Sequence, residues 1–127
     1  MNIIENFVNG KKTTGESKRF SKVFNPATGE QTAELKLSTV KDVDIAVRAA
    51  SKAFISWSNK PPLQRARVMF KFKELIEKNS EELTKIIVSE HGKVFDDARG
   101  ELTRGLEVVE FACGIPQLLK GEFTENV

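Results

Sequence analysis

Cysteine and histidine are almost missing from this sequence, which contains one of each among 127 residues. The single cysteine, Cys113, excludes an internal disulfide and suits a reducing compartment. With His91 as the only histidine, a zinc site made by this chain alone is not expected. The sequence also shows no glycine-rich phosphate loop, no pair of catalytic carboxylates and no cluster of metal ligands.

Long apolar runs and a charge excess of either sign are absent as well. No run approaches the roughly 18 apolar residues of a membrane span, and the first ten residues lack the pattern of a secretory signal. The 20 basic and 18 acidic residues are interspersed and leave a net charge of +2. We therefore expect neither nucleic acid nor a membrane as a partner. A composition of 39% hydrophobic and 30% charged residues predicts a soluble globular domain.

The first 37 residues are predicted to form short antiparallel strands and turns. Asn9-Gly10 is typical of a hairpin turn, because both residues tolerate positive φ. Apolar and polar residues alternate over residues 20–24 and again over 33–37, as in half-buried strands. Residues 25–29, Asn-Pro-Ala-Thr-Gly, predict the turn between them.

After residue 38 the apolar period becomes helical, and four helices are predicted. The first has an apolar stripe that ends at Trp57, and Ser38 or Thr39 can cap it, with Thr39-x-x-Asp42 resembling a capping box. Pro61-Pro62 predicts the start of the second helix. The third begins at Asn79 and ends at Gly92, and the fourth spans residues 95–119. The fold class is therefore α/β, with strands followed by helices.

The fourth helix carries the cysteine in an apolar row. Cys113 falls in register with four other residues: Ala98, Leu102, Leu106 and Val109. A late position in a helix disfavours a thiolate, because the C-terminal end of the helix dipole is negative. We therefore predict that Cys113 packs in the interior and is not a nucleophile. His91 is interpreted as a residue of the last turn beside the capping Gly92.

Arg104 is the unusual residue of the fourth helix. It lies about 200° around the helix from Leu102, on a second face that also carries Val108 and Phe111. A helix that is apolar on two faces is predicted to be sandwiched between layers. One interpretation of Arg104 is an ion pair with Glu101 or Glu107, each three residues away. The other is a guanidinium fork that binds a substrate carboxylate.

The predicted elements do not make a complete domain. The strands are few and short for an independent sheet, and the apolar stripes outnumber the partners that the chain offers. We expect the chain to be the front piece of a larger protein, with the remainder of its own polypeptide as its partner. If these residues fold alone, their apolar faces should drive self-association or an altered topology.

Five segments together resemble the N-terminal part of the NAD(P)-dependent aldehyde dehydrogenase superfamily. In chain order they read FVNGK, FNPATGE, DVDIAVRAASKAFISWS, PPLQRARVMFKFKELIEKNSEELTKIIVSEHGK and ARGELTRGLEVVEFACG. The stretch RGLEVVEFACGIPQLLKGE is similar to the coenzyme A-acylating methylmalonate-semialdehyde dehydrogenases. The resemblance extends from about Phe7 to Glu122. It implies that residues 1–127 are a strand-and-helix segment of the NAD-binding domain, without the catalytic and oligomerisation domains.

The resemblance also implies an activity for the full-length protein. A thiolate outside this chain attacks methylmalonate or malonate semialdehyde, NAD accepts hydride, and coenzyme A as co-substrate takes the acyl group with loss of carbon dioxide. No catalytic or cofactor-binding residue is then expected in this chain, which would be inactive alone. A homotetramer is implied for the full-length protein, in the cytoplasm or, in a eukaryote, the mitochondrial matrix.

Two sites in this chain follow from the resemblance. In the acylating branch the arginine at the position of Arg104 recognises the substrate carboxylate. Some members of the superfamily bind a monovalent cation at positions that match Val23, Phe24 and Glu90. Two alternatives remain open at this point. The first is that the chain comes from a non-acylating branch, such as a succinate-semialdehyde or betaine-aldehyde dehydrogenase, and the second is that it is a free-standing helical interaction module.

Overall fold

The computed structural model describes residues 2–125, which contain five β-strands followed by five α-helices. The strands are β1 (Asn2–Ile4), β2 (Asn6–Val8), β3 (Lys11–Thr13), β4 (Phe20–Phe24) and β5 (Gln31–Lys36). The helices are α1 (Val40–Ser58), α2 (Pro62–Lys78), α3 (Ser80–His91), α4 (Phe95–Cys113) and α5 (Ile115–Leu118). The described residues divide into two compact units, 2–59 with Ser89–Gly92, and Lys60–Val88 with 93–125.

The first unit contains a three-stranded sheet and a separate hairpin. In the sheet β5 lies between β1 and β4, antiparallel to β4 and parallel to β1. The parallel pair differs from the antiparallel strands that the sequence predicts. Its physical reason is non-local, since Asn2 of β1 aligns with Ala33 of β5 and nothing in the intervening sequence specifies that pairing.

The β2–β3 hairpin turns at Asn9-Gly10, as predicted. Both residues have positive φ, 53° for Asn9 and 77° for Gly10, and the strands pair from Asn6↔Thr13 to Val8↔Lys11. Two consecutive left-handed residues match the right-handed twist of the strands they join. The predicted turn over residues 25–29 is also present, with the Gly29 N–H donating to the Asn25 carbonyl at 2.8 Å.

Helix α1 begins with the predicted capping box. The Thr39 N–H and hydroxyl donate to Asp42 Oδ2 at 2.7 and 2.8 Å, and the Asp42 N–H donates to Thr39 Oγ1 at 3.2 Å. Hydrogen bonds from the Thr39 backbone, then from its side chain, lower the pKa of the Asp42 carboxyl. A Cβ on Gly15 would lie 2.8 Å from Asp42 Oδ2, so a side chain at position 15 would displace this carboxylate.

The second unit is helical, with α2 packed against α4 and α5. Pro62 starts α2, as predicted, because the first turn needs no N–H from it. Helix α4 ends at Cys113 rather than at residue 119, and α5 adds one separate turn. Pro116 explains the break, since proline lacks the N–H that would bond back to the carbonyl of Ala112.

Few apolar side chains are buried in either unit. The buried ones are Ala33, Ala66, Ala98 and Cys113, whereas Val47 and Phe54 of the α1 stripe remain 58% and 63% exposed. No residue of α1 is buried. The prediction that the stripes lack partners within these residues is therefore confirmed. No helix among residues 2–125 has both the length and the apolar character that crossing a membrane requires.

Candidate functional site

Helix α4 positions Arg104 on its exposed side. The helix is held by the apolar row on its other side, which begins at Ala98 and ends at Cys113. Ala98 is fully buried and Cys113 is 7% exposed. Its start has no side-chain cap, because the N-cap residue is Val94. Packing of α4 on α2 and burial of these residues together orient the helix, and Arg104 lies among its exposed residues.

The Arg104 side chain runs back toward the start of α4. Its Nη1 lies 3.5 Å from the point that a Cβ on Gly100 would occupy, one turn earlier. This is the direction that helical side chains ordinarily take. No carboxylate among residues 2–125 comes within 4.0 Å of the guanidinium nitrogens. The ion pair with Glu101 or Glu107, one of the two interpretations of Arg104, is not formed.

Glu101 has a different partner. Its Oε1 lies 2.6 Å from Nζ of Lys93, a half-buried side chain just before α4 that is 18% exposed. The Glu101 carboxylate is thereby held toward the start of the helix. The Arg104 guanidinium, three residues later, has no carboxylate partner among residues 2–125. Its N–H donors therefore face no anion within this unit.

The second apolar face of α4 is open in this structure. Val108 is 68% exposed and Phe111 is 67% exposed. The second layer that the sequence predicts over this face is thus not supplied by residues 2–125. An arginine beside two exposed apolar side chains can grip an anion whose carbon chain contacts those side chains.

The single cysteine and the single histidine lie outside this arrangement. Cys113 is buried and its Sγ is 3.4 Å from the Val109 carbonyl oxygen, so its predicted packing role is confirmed. His91 is the exposed last residue of α3, followed by Gly92 with a φ of 79° that ends the helix as predicted. Neither residue shows the base–nucleophile geometry of covalent catalysis.

The predicted monovalent cation site involves a bulge in the sheet. The β4–β5 register shifts between Val23 and Phe24, and the Val23 carbonyl accepts from Thr32 Oγ1 at 3.3 Å. The end of α3 is close to the turn over residues 25–29, which follows β4, since a Cβ on Gly92 would lie 3.1 Å from Cγ of Pro26. Glu90 is exposed near that end. The assignment of Val23, Phe24 and Glu90 stays a prediction.

Lys93 is the residue that sequence reasoning missed. It precedes α4 and meets Glu101 eight positions later, across the junction of loop and helix. Helical spacing rules cover pairs three or four residues apart and do not reach it. Among residues 2–125, no group of three or more His, Cys, Asp or Glu side chains is arranged to hold a metal ion.

Comparison with known proteins identifies the family of this chain. A model of the aldehyde dehydrogenase family matches residues 12–126. Malonate-semialdehyde dehydrogenase from Pseudomonas aeruginosa is 43% identical over 127 residues, which are 100% of this chain and 25% of that protein. The chain thus spans about a quarter of the length of the curated relatives it matches.

Solved structures agree with the sequence comparison. Methylmalonate-semialdehyde dehydrogenase from Oceanimonas doudoroffii is 52% identical with a TM-score of 0.92, over 100% of this chain and 26% of that one. A chain from Sinorhizobium meliloti 1021, in complex with NAD, is 46% identical with a TM-score of 0.92, over 98% of this chain and 26% of that one. The mixed α/β fold seen here is therefore part of a larger fold.

Proposed function

The chain belongs to the aldehyde dehydrogenase family, and on that premise we propose that it is part of an enzyme that oxidises malonate or methylmalonate semialdehyde with NAD. Identities of 43% and 52% to proteins named for these substrates support the proposal. The related chain in complex with NAD supports the cofactor. Coenzyme A as the acyl acceptor follows from the resemblance of residues 104–122 to the acylating branch.

We propose that residues 1–127 contribute a strand-and-helix segment to the NAD-binding domain. The reactive thiolate and the groups that hold NAD and coenzyme A are then supplied by other parts of the polypeptide. NAD, when bound, accepts the hydride that leaves the aldehyde carbon. Homotetramer formation belongs to the same proposal and rests on the resemblance alone.

The observation that carries the proposal is the unpaired Arg104 guanidinium. Both substrates present a carboxylate beside the reacting aldehyde, and a guanidinium binds a carboxylate through two parallel charge-assisted hydrogen bonds. Because no carboxylate of the described residues lies within 4.0 Å of Arg104, binding a substrate anion breaks no ion pair within this unit. The role of this chain in the reaction is then to hold the substrate by its carboxylate end.

The test compares a carboxylated with an uncharged aldehyde in the full-length enzyme. For Arg104→Ala we expect kcat/KM for malonate semialdehyde to fall about 30- to 150-fold, a loss of about 2–3 kcal/mol of transition-state stabilisation, which lies within the range of hydrogen bonds to charged groups. The value of kcat/KM for propanal should stay within about twofold of wild type. Cys113→Ser is the control variant. Its hydroxyl can keep the bond to the Val109 carbonyl, and both activities should be retained.

Two outcomes would contradict these expectations. Equal losses for both aldehydes would indicate a structural role for Arg104, and loss of all activity in Cys113→Ser would contradict a nucleophile outside this chain.

The reaction product distinguishes the acylating from the non-acylating branch. Acyl-coenzyme A and carbon dioxide are expected, whereas release of a free dicarboxylic acid at an undiminished rate without coenzyme A would favour the non-acylating branch.

A further inference from the structure

The Lys93–Glu101 ion pair stands directly beside the proposed substrate-binding residue. Lys93 Nζ lies 2.6 Å from Glu101 Oε1, and this lysine, at 18% exposure, is the least exposed cation in any ion pair of the described residues. The Lys71–Glu74 pair has the same length but lies on open surface, with its side chains 60% and 62% exposed, and the Lys73–Glu77 pair is intermediate, at 2.7 Å with exposures of 24% and 49%. A half-buried lysine holds its partner more firmly than an exposed one, because solvent screens it less.

Glu101 is the carboxylate that would otherwise neutralise Arg104. It is three residues before the arginine on the same helix, and an acidic residue N-terminal to a basic one is the favourable order for such a pair. The Arg104 guanidinium also runs toward the N-terminal side, where Glu101 lies. Glu107 is three residues in the opposite direction and competes less for that reason.

We infer that Lys93 is a positioning residue for substrate recognition. By holding the Glu101 carboxylate, it prevents an internal Glu101–Arg104 ion pair and keeps the guanidinium available for the carboxylate of the substrate. The inference rests on the proposed function of Arg104. It adds that specificity for carboxylated aldehydes depends on a lysine that never touches the substrate.

The experiment uses the full-length enzyme with malonate semialdehyde and propanal as paired substrates. In Lys93→Met we expect KM for malonate semialdehyde to rise about two- to fivefold, the range that surface ion pairs span, with kcat unchanged and propanal kinetics unaffected. In the double variant Lys93→Met/Glu101→Gln, KM should return to within about twofold of wild type, because the neutral amide does not neutralise Arg104. Lys71→Met is the matched control, since it removes an ion pair of the same 2.6 Å length on open surface.

Rescue by the second substitution distinguishes positioning from the alternatives. If Lys93 contacts the substrate itself, or only stabilises the start of α4, the double variant remains as impaired as Lys93→Met, and the inference is overturned. An unchanged KM in Lys93→Met overturns it as well. Arg104→Ala, assayed alongside, separates failure of the inference about Lys93 from failure of the proposed role of Arg104. A carboxylate-selective loss there with no effect of Lys93→Met rejects the inference alone, whereas no selective loss rejects the proposed role of Arg104 too.

Discussion

Helices α1 and α4 are both 19 residues long, but different forces fix them in place. The start of α1 is held by three hydrogen bonds between Thr39 and Asp42, and none of its residues is buried. The start of α4 has no side-chain cap, yet the helix buries Ala98 and Cys113 in its own unit. Local polar chemistry therefore defines one helix, and tertiary packing defines the other.

This difference bears on the proposed function, because Arg104 lies on the packed helix. A binding group on an element held by buried side chains keeps its position better than one on an element held only at its end. The capped helix α1 instead presents an open apolar stripe, in which Val43 is 54% and Phe54 is 63% exposed. Three substitutions test whether the two helices depend on different forces.

The largest effect is expected from overpacking α4. Ala98 has no exposed surface, so in Ala98→Leu the added carbons have no space and should cost about 3 kcal/mol of unfolding free energy. Urea titration of the full-length protein measures the loss, with Arg104 kinetics as a second readout of helix position. A loss below about 0.5 kcal/mol would show that packing of this row does not hold α4.

Removing the cap of α1 should have an intermediate effect. Thr39→Ala deletes the hydroxyl that bonds Asp42 and should cost about 1 kcal/mol, seen as faster amide hydrogen exchange in the first turn. Thr39→Ser keeps the hydroxyl and serves as the control. Unchanged exchange in the alanine variant would mean that contacts other than the capping box hold the start of α1.

Adding a cap to α4 should have the smallest effect. Val94 is 67% exposed and already has the extended backbone of an N-cap, with φ of −69° and ψ of 154°. Val94→Ser supplies the missing acceptor without adding a third carboxylate beside Asp96 and Asp97, and should stabilise by about 0.5 kcal/mol. If thermal unfolding shows no gain, capping does not limit the stability of this helix.

The same division explains what the sequence could predict. The Asn9-Gly10 turn, the Thr39 capping box and the helix end at Gly92 are local features, each decided by a few neighbouring residues, and all were predictable. The parallel β1–β5 pair and the Lys93–Glu101 ion pair join residues that no local rule relates.

The candidate site divides along the same line. The position of Arg104 on the face away from the buried row follows from helical periodicity. Whether Arg104 forms an ion pair does not follow from periodicity, because Lys93, which pairs with Glu101, lies outside the helix. Sequence reasoning therefore located the candidate residue Arg104 but not the lysine that pairs with Glu101.

The parallel pairing of β1 also orders the events of folding. The β2–β3 hairpin and the β4–β5 pair close short loops, whereas pairing Asn2 with Ala33 closes a loop of about thirty residues. Loop-closure entropy makes such a long connection slower to form than a hairpin. During synthesis β1 is made before its partner, and it must wait until β5 has emerged. Although β1 precedes β4 and β5 in the chain, it is thus expected to be the last of these three strands to join the sheet.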